Sequence, residues 1–299
     1  MIKRIDEIQD DELRVIGRRA TTEGGSKRKI WPWVVVAVVV AAAVVALVIA
    51  TSHKPDEKAV PDVYDTSTMV EQKTEVIAPL AKLGDYSDTT KAYTELLKQT
   101  VNDIPLDIYI PHNATPKLSI GTPDINNKNI VFVTQAADIR ADNGKINGAF
   151  VMAGEPLTWG LSKKGYVAII DGKLTVGVSE NSPLFEEATE KGGYFFRQYP
   201  LVDNGALVEN EPKGKAVRKA ICDRAGEILV IFSETPESFH DFSQALVDLS
   251  VTNAVYLVGS EYSYGYFRDK YDHFVQLAEK WRGGQKFENY IEWRIGDSR

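Results

Sequence analysis

From Ile30 to Ala50 the chain reads IWPWVVVAVVVAAAVVALVIA, 21 residues without one charged side chain. A helix rising about 1.5 Å per residue covers roughly 30 Å over that length, the thickness of a bilayer's hydrocarbon core. Val and Ala on every face leave no polar side for water, which disfavours a buried core helix. A signal peptide would carry a shorter apolar run close to the start and a small-residue cleavage site, whereas 29 residues precede this one. The segment therefore reads as an uncleaved, single-pass transmembrane helix. Arg18, Arg19, Lys27, Arg28 and Lys29 crowd its N-terminal flank, while Lys54 and Lys58 on the other side are offset by Asp56 and Glu57. The positive-inside rule then puts the N-terminus in the cytoplasm and the C-terminal domain on the periplasmic or extracellular side of the cytoplasmic (inner) membrane. Trp31 and Trp33 fall at the headgroup depth indoles favour, and Pro32 sits in a first turn, where its missing N–H costs little.

The 35 basic and 42 acidic residues of the 299-residue chain give a net charge of −7, which disfavours nucleic acid as a partner. Residues 51–299 hold 27 basic and 36 acidic side chains, so the exported part would be repelled by an anionic lipid surface. The one cysteine, Cys222, has no partner for an internal disulfide. Its apolar neighbourhood, AVRKAIC, favours an inert buried thiol over a nucleophile.

The chain divides into four segments: a cytoplasmic tail (1–29), the anchor (30–50), a linker with Pro55 and Pro61 (51–66), and an exported globular domain (67–299). Within the domain, SDTTKAYTELLKQTVND reads as an amphipathic helix with Tyr93, Leu96, Leu97 and Val101 on one face. LDIYI (106–110), NIVFVT (129–134) and KINGAFVM (145–152) read as strands. YVAII and KLTVGV flank Asp171-Gly172, a hairpin signal, and AVRKAIC and EILVIF flank a turn at Asp223–Gly226. Thr235 is expected to cap a helix with Pro236 at its first position and Phe239, Phe242, Leu246 and Leu249 on its buried stripe. The strand NAVYLVG, a helix over DKYDHFVQLAEKW and a final strand NYIEWRI complete the series. The expected fold class is α/β (α+β): a mixed β-sheet domain with a few flanking helices, preceded by the single membrane helix.

Phosphate-loop, nucleophile-elbow and zinc-protease motifs are absent from the sequence. His53, His112, His240 and His273 lack companions at metal-ligand spacing, so neither a metal nor a cofactor is expected. What remains is an ordered trio: INGAF at 146–150, AVRKAIC after an Asn204-Gly205 turn, and NAVYLVGSEYSYG at 253–265.

Together these resemble the exported phosphodiester glycosidase family over about residues 125–299. In that family an N-G-x-F strand, a strand-borne arginine and an L-D-G-G-G-S loop come in this order. The resemblance implies substrate-binding roles for Asn147, Gly148, Asn204, Arg218, Gly259 and Ser260. The chain departs from the pattern at Val258, where the family carries aspartate. Cleaving a sugar from a phosphodiester needs a proton carrier, usually a carboxyl, and a cation for the phosphate. Arg218 suits the second task, and Glu261 is the nearest replacement acid for the first, with Asp203 and Glu209 behind it. Each residue also has a structural reading: Asn147-Gly148 as a strand bulge, Arg218 as a surface strand cation, Val258 as a buried parallel-strand end, Glu261 as a solvated loop acid. Tyr262, Tyr264, Tyr266 and Phe267 suit either sugar stacking or packing. With the anchor read from residues 30–50, the resemblance implies a membrane-anchored hydrolase acting on, or binding, a sugar-1-phosphodiester or other envelope glycan. The rival is a non-catalytic glycan-binding or scaffolding module on the same fold.

Overall fold

A computed structural model describes residues 80–161, 163–259, 263–277 and 287–296, which belong to one compact unit, Pro79–Arg299. The anchor and its orientation, the cytoplasmic tail, the linker and the domain's start all lie outside the described residues. Among the described residues no helix is long and apolar enough to cross a membrane.

The chain opens with β1 (Tyr93–Val101), β2 (Ile104–His112), β3 (Ala114–Ile120) and β4 (Ile130–Gln135). Then come β5 (Phe150–Met152), β6 (Glu155–Thr158), β7 (Gly165–Ile170) and β8 (Lys173–Val178). A short helix α1 (Leu184–Glu190) precedes β9 (Tyr194–Gln198), β10 (Pro200–Asp203) and β11 (Ala206–Leu207). The long hairpin β12 (Ala216–Arg224) and β13 (Glu227–Glu237) leads into α2 (Phe239–Asp248) and β14 (Asn253–Leu257). β15 (Gly265–Arg268), β16 (Phe274–Gln276) and β17 (Asn289–Ile295) close the described chain.

Three sheets result, in the orders β1-β2-β13-β12-β14-β10-β11, β16-β15-β4-β17-β3 and β6-β5-β9-β7-β8. Every pairing among these strands is antiparallel, so the α+β part of the expected class holds, mostly β with two helices among the described residues, while the mixed sheet of an α/β domain does not. All three sheets send side chains into a shared core that includes Tyr109, Phe132, Phe150, Phe196, Ile221, Val255 and Trp293. The seven-stranded sheet buries its other face under α2, and the small third sheet buries its own under α1.

The hairpins arise from turn chemistry. Asp171-Gly172, Asn204-Gly205 and Ala225-Gly226 each place two successive residues at positive φ, the geometry that lets a two-residue loop match the twist of its strands. Asn102-Asp103 does the same, and this overturns the helix expected around residue 93. Those residues form β1, paired with β2 from Tyr93↔His112 to Val101↔Ile104. Leu96 packs against the shared core and Leu97 against the α2 side, which is the alternation of a strand; a helix would have put both on one face. The helix expected over DKYDHFVQLAEKW is also replaced where it is described: Asp269 accepts hydrogen bonds from the backbones of Tyr271 and His273 in a turn, and β16 comes directly after. Thr235 and Pro236 lie in β13, and the cap of α2 is Ser238, whose Oγ accepts from Asp241 N at 3.0 Å. The buried stripe of α2 is as expected, with Phe239, Phe242, Leu246 and Leu249 all in its core.

Residues 80–86 are strapped to the β12–β13 turn. The buried carboxylate of Glu227 accepts from Leu83 N, Gly84 N and the Tyr86 hydroxyl, and Arg224 Nη1 donates to Ala81 O at 2.7 Å.

Phe242 is fully buried where α2 meets the seven-stranded sheet. Phe242→Ala is expected to destabilise the domain by about 3–5 kcal/mol, read as a lower urea midpoint with an unchanged slope.

Candidate functional site

The site begins with alternation along β12. Ala220 and Cys222 pack toward α2 and Ile221 toward the shared core, so the neighbours Arg218 and Lys219 leave the strand on opposite faces.

Arg218 is buried. Its Nε donates to Glu237 O and its Nη2 to Gly214 O, both at 2.8 Å, and its guanidinium lies 4.0 Å from the Phe239 ring centre. It also touches the phenol of Tyr256, whose oxygen accepts from Gly259 N at 3.0 Å. Burial raises this phenol to about 12, the Asp138 charge pushes the same way, and Arg218 and the Gly259 amide oppose both. Gly259 is required there: a Cβ would sit 2.5 Å from Val217 O and 2.7 Å from the Tyr256 oxygen.

Asp138 is the carboxylate of this corner. Its Oδ2 accepts from Lys163 Nζ, and that ammonium donates also to Gln198 Oε1 at 2.7 Å and lies 4.2 Å from the Tyr199 ring centre. Lys163 is almost wholly buried, while Asp138 stays partly open to solvent. Gln198 Nε2 is buried with no acceptor among the described residues. The Asp138 backbone is held firmly: Asn147 N donates to Asp138 O at 2.8 Å, Val258 N to Ala136 O at 3.1 Å, and the Asn289 side-chain amide brackets Ala137 at 2.7 and 3.0 Å.

Asn147, Arg218 and Gly259 thus gather around Asp138 and Tyr256. Ser260, Glu261 and Tyr262 lie outside the described residues. Gly148 sits at φ +94 with its carbonyl accepting from the Thr158 hydroxyl, and a Cβ there would press on Arg197 Cβ at 3.3 Å, so the backbone turn favours glycine at this position. Asn204 stands apart, in the β10–β11 turn, bonded to Asp203 and to Asn253 at the opposite end of β14 from Gly259. Glu209 forms an exposed pair with His240 at 2.7 Å. Val258 is half-buried at the end of an antiparallel strand, not a parallel one. Tyr264, Tyr266 and Phe267 are buried in the domain, which settles them as packing residues. Cys222 is buried and its thiol pushed up by burial, an inert state. Among the described residues no three His, Cys, Asp or Glu side chains gather as a metal site would require.

The sequence reading passed over Asp138, Lys163, Tyr256 and Lys219. Lys219 carried a signal, a charge at the period-two position shared with Val217 and Ile221 in an apolar strand. Lys163 carried none, since nothing local separates it from the exposed Lys164. Lys219 is 2% exposed, its Nζ donates to Ser263 Oγ, and it lies 4.5 Å from the Phe232 ring centre.

No protein-family model matches the sequence, and no curated protein matches it. In fold the chain is similar to the catalytic domain of zebrafish N-acetylglucosamine-1-phosphodiester alpha-N-acetylglucosaminidase auto-inhibited by its pro-peptide, at 12% identity and a TM-score of 0.48, over 71% of this chain and 85% of that one. It is also similar to a hypothetical protein from Synechocystis, at 13% identity and a TM-score of 0.50, over 70% of this chain and 64% of that one. At such identities the likeness is one of fold, and chemistry must be argued from the residues themselves.

Burial lowers the Lys219 ammonium from 10.5 to about 7. An unfolded chain keeps this proton up to the higher value, so the burial penalty is complete below pH 7 and is relieved as the pH rises toward 10.5. Stability is therefore expected to climb between pH 7 and 9 by as much as about 1.4 kcal/mol per pH unit from this group. Lys219→Met should flatten that climb in denaturant titrations run at each pH.

Proposed function

We propose that this chain is a membrane-anchored, exported protein whose domain acts on a sugar-1-phosphodiester of the cell envelope, with Asp138 as the proton carrier. The observation that carries this reading is the convergence of Asp138, Lys163, Arg218 and Tyr256 beside Asn147. A sugar phosphodiester needs a carboxyl at the glycosidic oxygen and positive charge at the phosphate. Asp138 is partly solvent-facing and can meet a leaving oxygen, while Lys163 pairs with it directly and Arg218 adds a second cation against Tyr256. The Asn147 amide, half-buried and without a hydrogen-bond partner among the described residues, is free to take a hydroxyl or a phosphate oxygen. Asp138 stands in this reading where Glu261 stood in the sequence-based one. The apolar 30–50 segment would hold the domain at the membrane surface, close to lipid-linked or wall-linked glycans.

A second reading, a glycan-binding module without turnover, is favoured by one observation. The Arg218 guanidinium already donates to two backbone carbonyls and stacks on Phe239, so it lends the site charge more readily than new hydrogen bonds.

Hydrolysis of an aryl or uridine diphospho-type N-acetylhexosamine phosphodiester by the purified chain is the test. Asp138→Asn is expected to lower kcat/KM by about 10²–10⁴ with the fold intact by circular dichroism. Full activity in that variant would exclude Asp138 as the proton carrier. Binding without turnover, abolished by Arg218→Ala, would select the module, and neither binding nor turnover would end both readings.

A further inference from the structure

A separate pocket of about 500 Å³ opens on the third sheet, between the segment after β6 and the turn that leads into α1. Trp159 and Leu161 stand at it with 69% and 65% of their surfaces exposed. Large apolar side chains left in water are informative when they cluster at a concave site, and this volume is that of a small-molecule pocket. Phe185 continues the apolar wall, braced edge-on against Phe195 at 5.5 Å.

The polar lining is as telling. The Asn181 amide and the Glu186 carboxylate have no hydrogen-bond partner among the described residues. Ser182 Oγ accepts from Leu184 N at 3.3 Å, which leaves its hydroxyl proton to give. Arg197 lies behind them, 2% exposed, its guanidinium donating to the carbonyls of Lys163, Ser179 and Glu180. The backbone just after Trp159 is fixed by its neighbours: Ala149 N donates to Gly160 O at 2.8 Å, and Gly160 presses so closely on Gly148 that a Cβ would lie 2.9 Å from its Cα. An exposed indole on a braced backbone, opposite amide, hydroxyl and carboxylate groups with hydrogen-bonding capacity to spare, matches one ligand chemistry. A pyranose has an apolar C–H face, which the negative face of an aromatic ring attracts, and a rim of hydroxyls that both donate and accept.

We infer that the Trp159 pocket is a carbohydrate-binding site for a pyranose ring that does not itself react. It stands independently of the role proposed for Asp138. Lys163 is the link between the two places, since its side chain meets Asp138 while its carbonyl is held by Arg197. A glycan chain seated on Trp159 would therefore lie against the far side of the segment that carries Lys163.

The test is calorimetric titration of the full chain, in a non-glycoside detergent, with maltotriose and with triacetylchitotriose. Saturable binding of at least one trisaccharide is expected, weakened ten-fold or more in Trp159→Ala, less in Trp159→Phe, several-fold in Asn181→Ala, and unchanged in Asp138→Asn. Trp159 is exposed, so its replacement should leave the urea midpoint in place. Absence of binding to either sugar, or binding that survives Trp159→Ala, would overturn the inference. Binding lost in Asp138→Asn but kept in Trp159→Ala would also overturn it, by placing the sugar at the other site and leaving the proposed function intact.

Discussion

The antiparallel pairing of β12 with β14, from Lys219↔Leu257 to Asp223↔Asn253, is the constraint on which the rest of this molecule turns. It places β12 between β13 and β14, and so makes consecutive residues face different cores. One step along the strand separates a guanidinium stacked on Phe239 from an amine sealed against Phe232. The same pairing delivers the chain after Leu257 to the β4–β5 connection, where Val258 bonds to Ala136 and Gly259 fits beneath the Tyr256 oxygen.

Arg197, Lys219 and Lys163, among the most deeply buried cations of the described residues, meet the cost of leaving water in three ways. Arg197 is held by backbone carbonyls, an arrangement that braces a turn. Lys219 has a hydroxyl and an aromatic ring but no carboxylate among the described residues, and it yields its proton more easily in consequence. Lys163 has a carboxylate, an amide oxygen and an aromatic ring. Such a pair is a poor source of stability, so its place at a partly open corner suits a functional charge array.

Local chemistry made much of the β-structure legible. Asp171-Gly172 announced its hairpin, and Asn204-Gly205 its turn, because two-residue loops demand positive φ, which these residues tolerate. The apolar stripe of α2 was equally plain. The failures share one cause. YTELLKQTV satisfies both a helical and an alternating pattern, and the decision came from β2 lying alongside it. The FVQ of β16 became a strand for the same reason, by pairing with β15.

Read alone, the sequence determined an apolar stretch long enough for a membrane, the acidic balance of residues 51–299, the turn positions, and the arginine and asparagine worth pursuing. The tertiary structure decided which charges meet. Asp138 and Lys163 are 25 residues apart with nothing local to connect them, and their contact exists because the cores on either side leave that corner for polar atoms. Periodicity encodes which face a side chain takes on its own element, whereas proximity between elements is set by how whole sheets pack, a sum over many weak contacts that no short window contains.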